Sequence, residues 1–215
     1  MKNLIRHLWL NHSNTIVQKS LFNCHTKGLH SIMLLESPEQ TIRLYYASED
    51  SEMYRNYPHG NKQTSIAAHP HHCNITMHII KGPVTNILYD KVRWVQGGMK
   101  PQVDLIPHRY ISAIKNKGTG KFEHKGAPVT FTFSAMVLDV DDYLSLTANQ
   151  IHSVACPYGI STAWLIYEGK EDSGYEPIAY ARHLLNDEDF SGLYIKPTRQ
   201  QVCDILNELF ELYID

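Results

Sequence analysis

Four histidines crowd one short stretch, TSIAAHPHHCNITMHIIKGPV, at residues 64–84: His69, His71, His72 and His78. A neutral imidazole is a ligand for zinc, iron, nickel and copper, and histidines that converge on one point can hold a divalent ion. On a strand, successive side chains point to opposite faces. His69 and His71 therefore point the same way and make a half-site, while His72 and His78 share the other parity and read as bystanders. A third ligand must come from elsewhere in the chain. The candidate is His152 in LTANQIHSVACPYG, where a turn-like TANQ runs into a strand-like segment. The chain holds 13 histidines. At that frequency an H-x-H pair arises about once by chance, so the pair needs the context of its neighbours.

The elements that must position these residues read mostly as strands. LHSIMLLES and TIRLYYAS are apolar runs joined by SPEQ, with Pro38 at a turn position. Residues 48–63 form a polar loop. TSIAAH and NITMHIIKG follow as strand-like runs, and PVTNILYDKVRWV is β-branched after Gly82-Pro83. The region 96–128 is looser and encloses one strand-like run, RYISAIK. VTFTFSAMVLDV alternates polar and apolar positions, and DDYLSLTANQIHSVA and STAWLIYEG are again strand-like. The acidic stretch 171–176 reads as a loop. The first 27 residues suit a short helix or an edge strand. One helix is well signalled, PTRQQVCDILNELFELYI, with Val202, Ile205, Leu206, Leu209, Leu212 and Tyr213 at helical spacing behind Pro197-Thr198. The expectation is an all-β fold, a jelly-roll barrel or sandwich carrying a C-terminal α-helix.

Composition narrows the function classes. With 20 basic and 22 acidic side chains the net charge is -2, which gives no electrostatic footprint for nucleic acid. No apolar run approaches the length of a membrane span, and MKNLIRHLWLNHSN makes a poor signal peptide. Cys24, Cys73, Cys156 and Cys203 form no C-x-x-C pair. A soluble, reducing, cytoplasmic protein is expected. KNKGTGKF fails as a phosphate loop, because Lys115 stands at the glycine position and Phe122 at the hydroxyl position. Arg43 and Arg109 suit either an acidic substrate group or a solvated face. Cys73 and Cys156 read as packing residues or free thiols beside the ligands.

Over residues 64–169 the sequence resembles the cupin superfamily. The family's first motif runs G, five residues, H-x-H, three or four residues, E, six residues, G. Here Gln63, His69, His71, Ile75 and Gly82 occupy those places. The second motif runs G, five, P-x-G, two, H, three, N, and falls on Asp141, Thr147, Asn149, His152 and Cys156. The resemblance implies a cupin-type jelly-roll β-barrel over 28–176 with an insertion at 93–128, an N-terminal appendage at 1–27 and a C-terminal helical segment at 177–215. It implies His69, His71 and His152 as metal ligands.

Ile75 is the telling departure, because it removes the carboxylate ligand. A three-histidine cupin site is similar to that of the cysteine dioxygenase group. That likeness implies Fe(II), with Zn, Mn and Ni also compatible, and it makes Tyr167 the candidate active-site tyrosine. The group's cysteine and its histidine before the tyrosine fall here on Ile75 and Leu165. The implied function is a metal-dependent oxidoreductase, a dioxygenase-like enzyme acting on a small molecule. The alternatives are a non-catalytic module binding a sugar, nucleotide or signalling molecule, and a structural β-protein with incidental histidines. A homodimer is the family-based expectation; nucleic-acid and membrane partners are not expected.

Overall fold

The computed structural model describes residues 1–51, 68–92, 101–111, 121–170, 178–182, 184–185 and 192–214. Residues 52–63 of the predicted loop at 48–63 lie outside these residues, as do the predicted loop at 171–176 and residues 64–67 of TSIAAH.

The alternating and β-branched runs form strands β1 (Leu29–Glu36), β2 (Thr41–Ala47), β3 (Ile75–Lys81), β4 (Val84–Lys91), β5 (Gln102–Ile111), β6 (Lys121–His124), β7 (Val129–Leu138), β8 (Tyr143–Leu146), β9 (Ile151–Ala155), β10 (Thr162–Glu168) and β11 (Ile178–Ala181). Two helices flank them among the described residues, α1 (Lys2–Lys19) and α2 (Arg199–Phe210).

One sheet has the order β1-β2-β10-β3-β8, the other β11-β5-β7-β4-β9 with β6 on β5. Residues 68 and 69 join the second sheet through bridges Ala68↔Tyr180 and His69↔His152. From β2 onward the chain crosses between sheets in jelly-roll order: β2 in the first, 68–69 in the second, β3 in the first, β4 and β7 in the second, then β8, β9 and β10 alternately. The expected closed barrel is thus two sheets face to face; among the described residues no ladder joins one to the other. Their inner faces meet over Ala47, Ile75, Met77, Ile79, Trp164 and Ile166 on one side and Val84, Leu138 and Val154 on the other. Burying that surface is what holds two layers together.

Gly82 makes the sharp passage from β3 to β4. Its φ is +64°, and a Cβ there would lie 2.8 Å from Thr162 Cγ2 and 2.9 Å from Ser161 O. Only glycine meets both conditions.

The outer face of the first sheet is covered by helices. Ile5, Leu8, Trp9 and Ile16 of α1 pack with Val202, Ile205, Leu206 and Phe210 of α2 against Ile32, Leu34, Leu44 and Leu165. The N-terminal segment is therefore helical rather than an edge strand, with a kink at His12, where φ is -135° and ψ 16°. α2 starts where Thr198 signals, with a capping box to Gln201. It stops at Phe210 because Glu211 turns left-handed, φ 47°. Leu212 stays buried beyond the helix, while Tyr213 is 83% exposed. Among the described residues the region 96–128 holds two strands rather than one, β5 and β6; residues 96–100 and 112–120 of that region lie outside the described residues. β7 does not keep its alternation, since Ser134, Ala135, Met136 and Val137 are all exposed. β5 pairs with β7 only from Val129 to Thr132, so cover ends there.

Candidate metal centre

Each of the three predicted ligands is placed by a short, local device. The turn before β9 is closed by Gln150 N donating to Thr147 O at 3.0 Å, and the Gln150 side chain accepts from Thr147 N at 2.7 Å. The same turn is tied to the H-x-H segment. His71 N donates to Ala148 O at 3.0 Å, and Ala148 N to Asn74 Oδ1 at 3.0 Å. His69 and His152 then exchange both backbone bonds, at 2.8 and 3.0 Å. An antiparallel bridge of this kind sets two side chains next to each other.

The result is one cluster. His69, His71 and His152 bring a ligand atom each to within 4.8 Å of one another. Ring centroids lie 5.0 Å apart for His69 and His71, 5.3 Å for His69 and His152, and 4.9 Å for His71 and His152. His71 Nε2 and His152 Nε2 are 2.7 Å apart.

His152 is buried, and its Nδ1 is 2.6 Å from Asn86 Oδ1. The ring donates there through Nδ1–H, which leaves the Nε2 lone pair facing the cluster. Asn86 comes from β4 at the register position beside Val154, is fully buried, and serves to hold that tautomer. Burial and then the neighbouring imidazoles, His69 first, push His71 well below the ordinary histidine range; burial and His69 do the same to His152. The rings are therefore neutral at pH 7, the state a metal requires. Three imidazoles, one with its tautomer fixed by a buried amide, fit a divalent ion. Ile75 lies in the apolar cluster between the sheets, so no carboxylate comes from that position.

Asn86→Ala is expected to weaken divalent metal binding about 10- to 100-fold while all three ligands remain. Competition against a chelating dye measures this, and an unchanged affinity would show that Asn86 does not orient His152.

Other sequence candidates are sorted by strand face. His72 sits half-buried beside the cluster and is not among its ligands. His78 points away from the cluster, as its parity predicts, but it is buried rather than exposed. Its ring stacks on Tyr143 at 4.1 Å, and Asp141 lies 3.6 Å from Nε2. Tyr167 shares its face of β10 with Ala163 and Leu165 and packs against the helix-covered cluster. The structure does not bring it to the histidines. Arg109 lies on a solvated face, 3.7 Å from Glu123. Arg43 turns inward with Tyr45 and Ala47, and its Nε donates to Glu168 at 3.2 Å. Cys73 and Cys156 pack between the sheets, and burial pushes the Cys156 thiol up to about 12.

One residue near the cluster carries no sequence signal. His25 lies in the segment after α1, with its ring centroid 6.1 Å from that of His69. Its Nδ1 is 2.9 Å from Tyr194 Oη. Burial, then His69 and Arg43, lower it to about 3, so it too is neutral.

No family model matches the chain, and no curated protein matches it. Solved structures do. The polyketide cyclase RemF from Streptomyces resistomycificus is 9% identical over 83% of this chain and 88% of that one, with a TM-score of 0.42. A cupin superfamily protein from Desulfitobacterium hafniense is 11% identical over 66% and 78%, with a TM-score of 0.33. A conserved protein with a double-stranded β-helix domain from Klebsiella pneumoniae is 12% identical over 72% and 85%, with a TM-score of 0.35. No helix among the described residues is long and apolar enough to cross a membrane. In the order of its strands the chain is a two-sheet jelly roll that brings His69, His71 and His152 together beside β9.

Proposed function

We propose that the protein is a metal-dependent cupin of the Fe(II) dioxygenase type, acting on a small molecule at His69, His71 and His152. The observation that supports this is the convergence of three imidazoles with an apolar side chain, Ile75, at the carboxylate position. When bound there, a redox-active divalent ion supplies Lewis acidity and electron transfer. The chain's own residues do the rest. Asn86 holds the His152 tautomer, and Ile75, Met77, Ile79 and Trp164 keep the intersheet face apolar. Arg43 and Glu168 place a partly buried ion pair on the inner face of the first sheet. Such a lining suits a small, partly apolar molecule carrying a polar group.

The test is anaerobic loading with Fe(II), then oxygen consumption with a panel of small thiols and other small molecules. Stoichiometric iron with substrate-dependent oxygen uptake is expected. A protein that takes no divalent metal would end the proposal. A non-catalytic ligand-binding module is the second reading, favoured by the placement of Tyr167 on the helix-covered face. A small molecule retained in native mass spectra, without oxygen uptake, would favour it.

Acid should destabilise the metal-free protein. His25, His71 and His152 stay neutral in the fold, while in the unfolded chain they take up protons below about 6.5. The unfolded state then binds more protons, so stability is fully present above that pH and falls as pH drops through it. At pH 5.5 each such histidine costs about 1.4 kcal/mol relative to pH 8. Urea unfolding of the apo-protein at both values measures it, and a flat profile would contradict the buried, neutral cluster.

A further inference from the structure

We propose that His25, seated by Tyr194, is a hydrogen-bond donor to a small anionic or oxygen ligand held at the histidine triad, which makes both segments flanking the jelly roll part of the site. The inference rests on the metal reading and adds to it a residue outside both histidine motifs.

The placement is built. Phe22 and Ile195 exchange backbone bonds at 2.8 and 2.9 Å, and Tyr194 N donates to Asn23 O at 3.1 Å. The Asn23 side chain donates to Gly192 O and accepts from Gly28 N, both at 2.9 Å. These bonds clamp the segment after α1 to the segment before α2. Within the clamp Asn23, His25 and Tyr194 all hold left-handed backbones, φ 52°, 70° and 56°. Non-glycine residues persist in that region only where the surroundings over-determine them, and such outliers gather at functional sites. Here two of the three, His25 and Tyr194, are joined by the 2.9 Å contact between Nδ1 and Oη.

The chemistry follows from the pair. The phenol is the stronger donor, so Tyr194 O–H donates to His25 Nδ1 and the ring proton sits on Nε2. His25 then stands beside His69 as a neutral N–H donor. The triad itself offers lone pairs to an ion and no donor to whatever that ion holds. An N–H next to the cluster stabilises an exogenous ligand with surplus negative charge. This makes His25 a positioning residue, and Tyr194 the residue that fixes its tautomer.

The test uses the full chain loaded with Co(II) and titrated with azide, followed by the visible absorption of the metal. His25→Phe should weaken azide binding roughly ten-fold and leave Co(II) affinity within about two-fold of the parent. His25→Gln, which keeps an N–H, should recover most of the loss, and Tyr194→Phe should weaken azide about three-fold. Equal azide affinity in the parent, His25→Phe and Tyr194→Phe would overturn the proposal. So would loss of Co(II) from both variants, because the pair would then be serving the metal or the fold. If the parent takes up no Co(II), the metal reading fails and the inference falls with it. Co(II) uptake without any effect of the variants on azide sinks the inference alone.

Discussion

His152→Ala is expected to abolish stoichiometric metal binding. Four-ligand structural zinc sites carry about 10–16 kcal/mol, or roughly 3 kcal/mol per ligand, so losing one of three imidazoles should weaken binding on the order of 100-fold or more. The half-site that remains, His69 and His71, holds an ion only weakly. A second effect accompanies this. His152 is buried and joins Asn86 to His71, at 2.6 and 2.7 Å. Its removal strands the Asn86 carbonyl in the interior, which costs about 1–3 kcal/mol of stability. Metal content of the purified protein, with urea unfolding alongside, separates the two. Full metal occupancy in a folded His152→Ala protein would remove the metal centre from consideration.

Trp9→Ala should be the most damaging change far from the site. Trp9 is 1% exposed, sits where α1 meets the rest of its cluster, and has the Arg199 guanidinium 4.8 Å from its ring centre. Emptying such a position costs about 3–5 kcal/mol, with the lost cation–π contact included. In a chain of this size that corresponds to roughly 10 °C in melting temperature. The triad, by contrast, is held by strands of the second sheet, so metal stoichiometry below the new transition should match the parent. A melting temperature within about 2 °C of the parent would mean that α1 is not part of the cooperative fold.

How far the sequence reading reached depends on how each feature is encoded. His69, His71 and His152 were legible because a period of two and a turn-histidine-strand pattern are local properties. Gly82 was legible for the same reason, since a left-handed corner leaves a glycine. The start of α2 was written in Pro197-Thr198, and its end was not, because the left-handed Glu211 leaves no mark in composition.

The failures have a common cause. TAWLIYE is buried on both faces, against the opposite sheet through Trp164 and Ile166 and against the helices through Ala163 and Leu165. A run apolar on both sides does not say which face looks inward. Tyr167 was assigned to the site on resemblance, and it packs on the face that the helices cover. His78 is a bystander as its parity predicts, and Tyr143 on the neighbouring strand stacks on its ring. Asn86 had a faint signal, a lone amide in the apolar run PVTNILYD, but its partner His152 lies 66 residues away.

By itself, the sequence determined most of the strands, though not β6 or β11, together with the parity of the histidines and the loss of a carboxylate at Ile75. These rest on backbone geometry within a few residues. The tertiary structure decided which strand faces look inward, which ring nitrogen faces the cluster, and that His25 stands beside His69. Those depend on the crossing of two sheets and on the clamp between segments 169 residues apart, and no local pattern records a contact of that length.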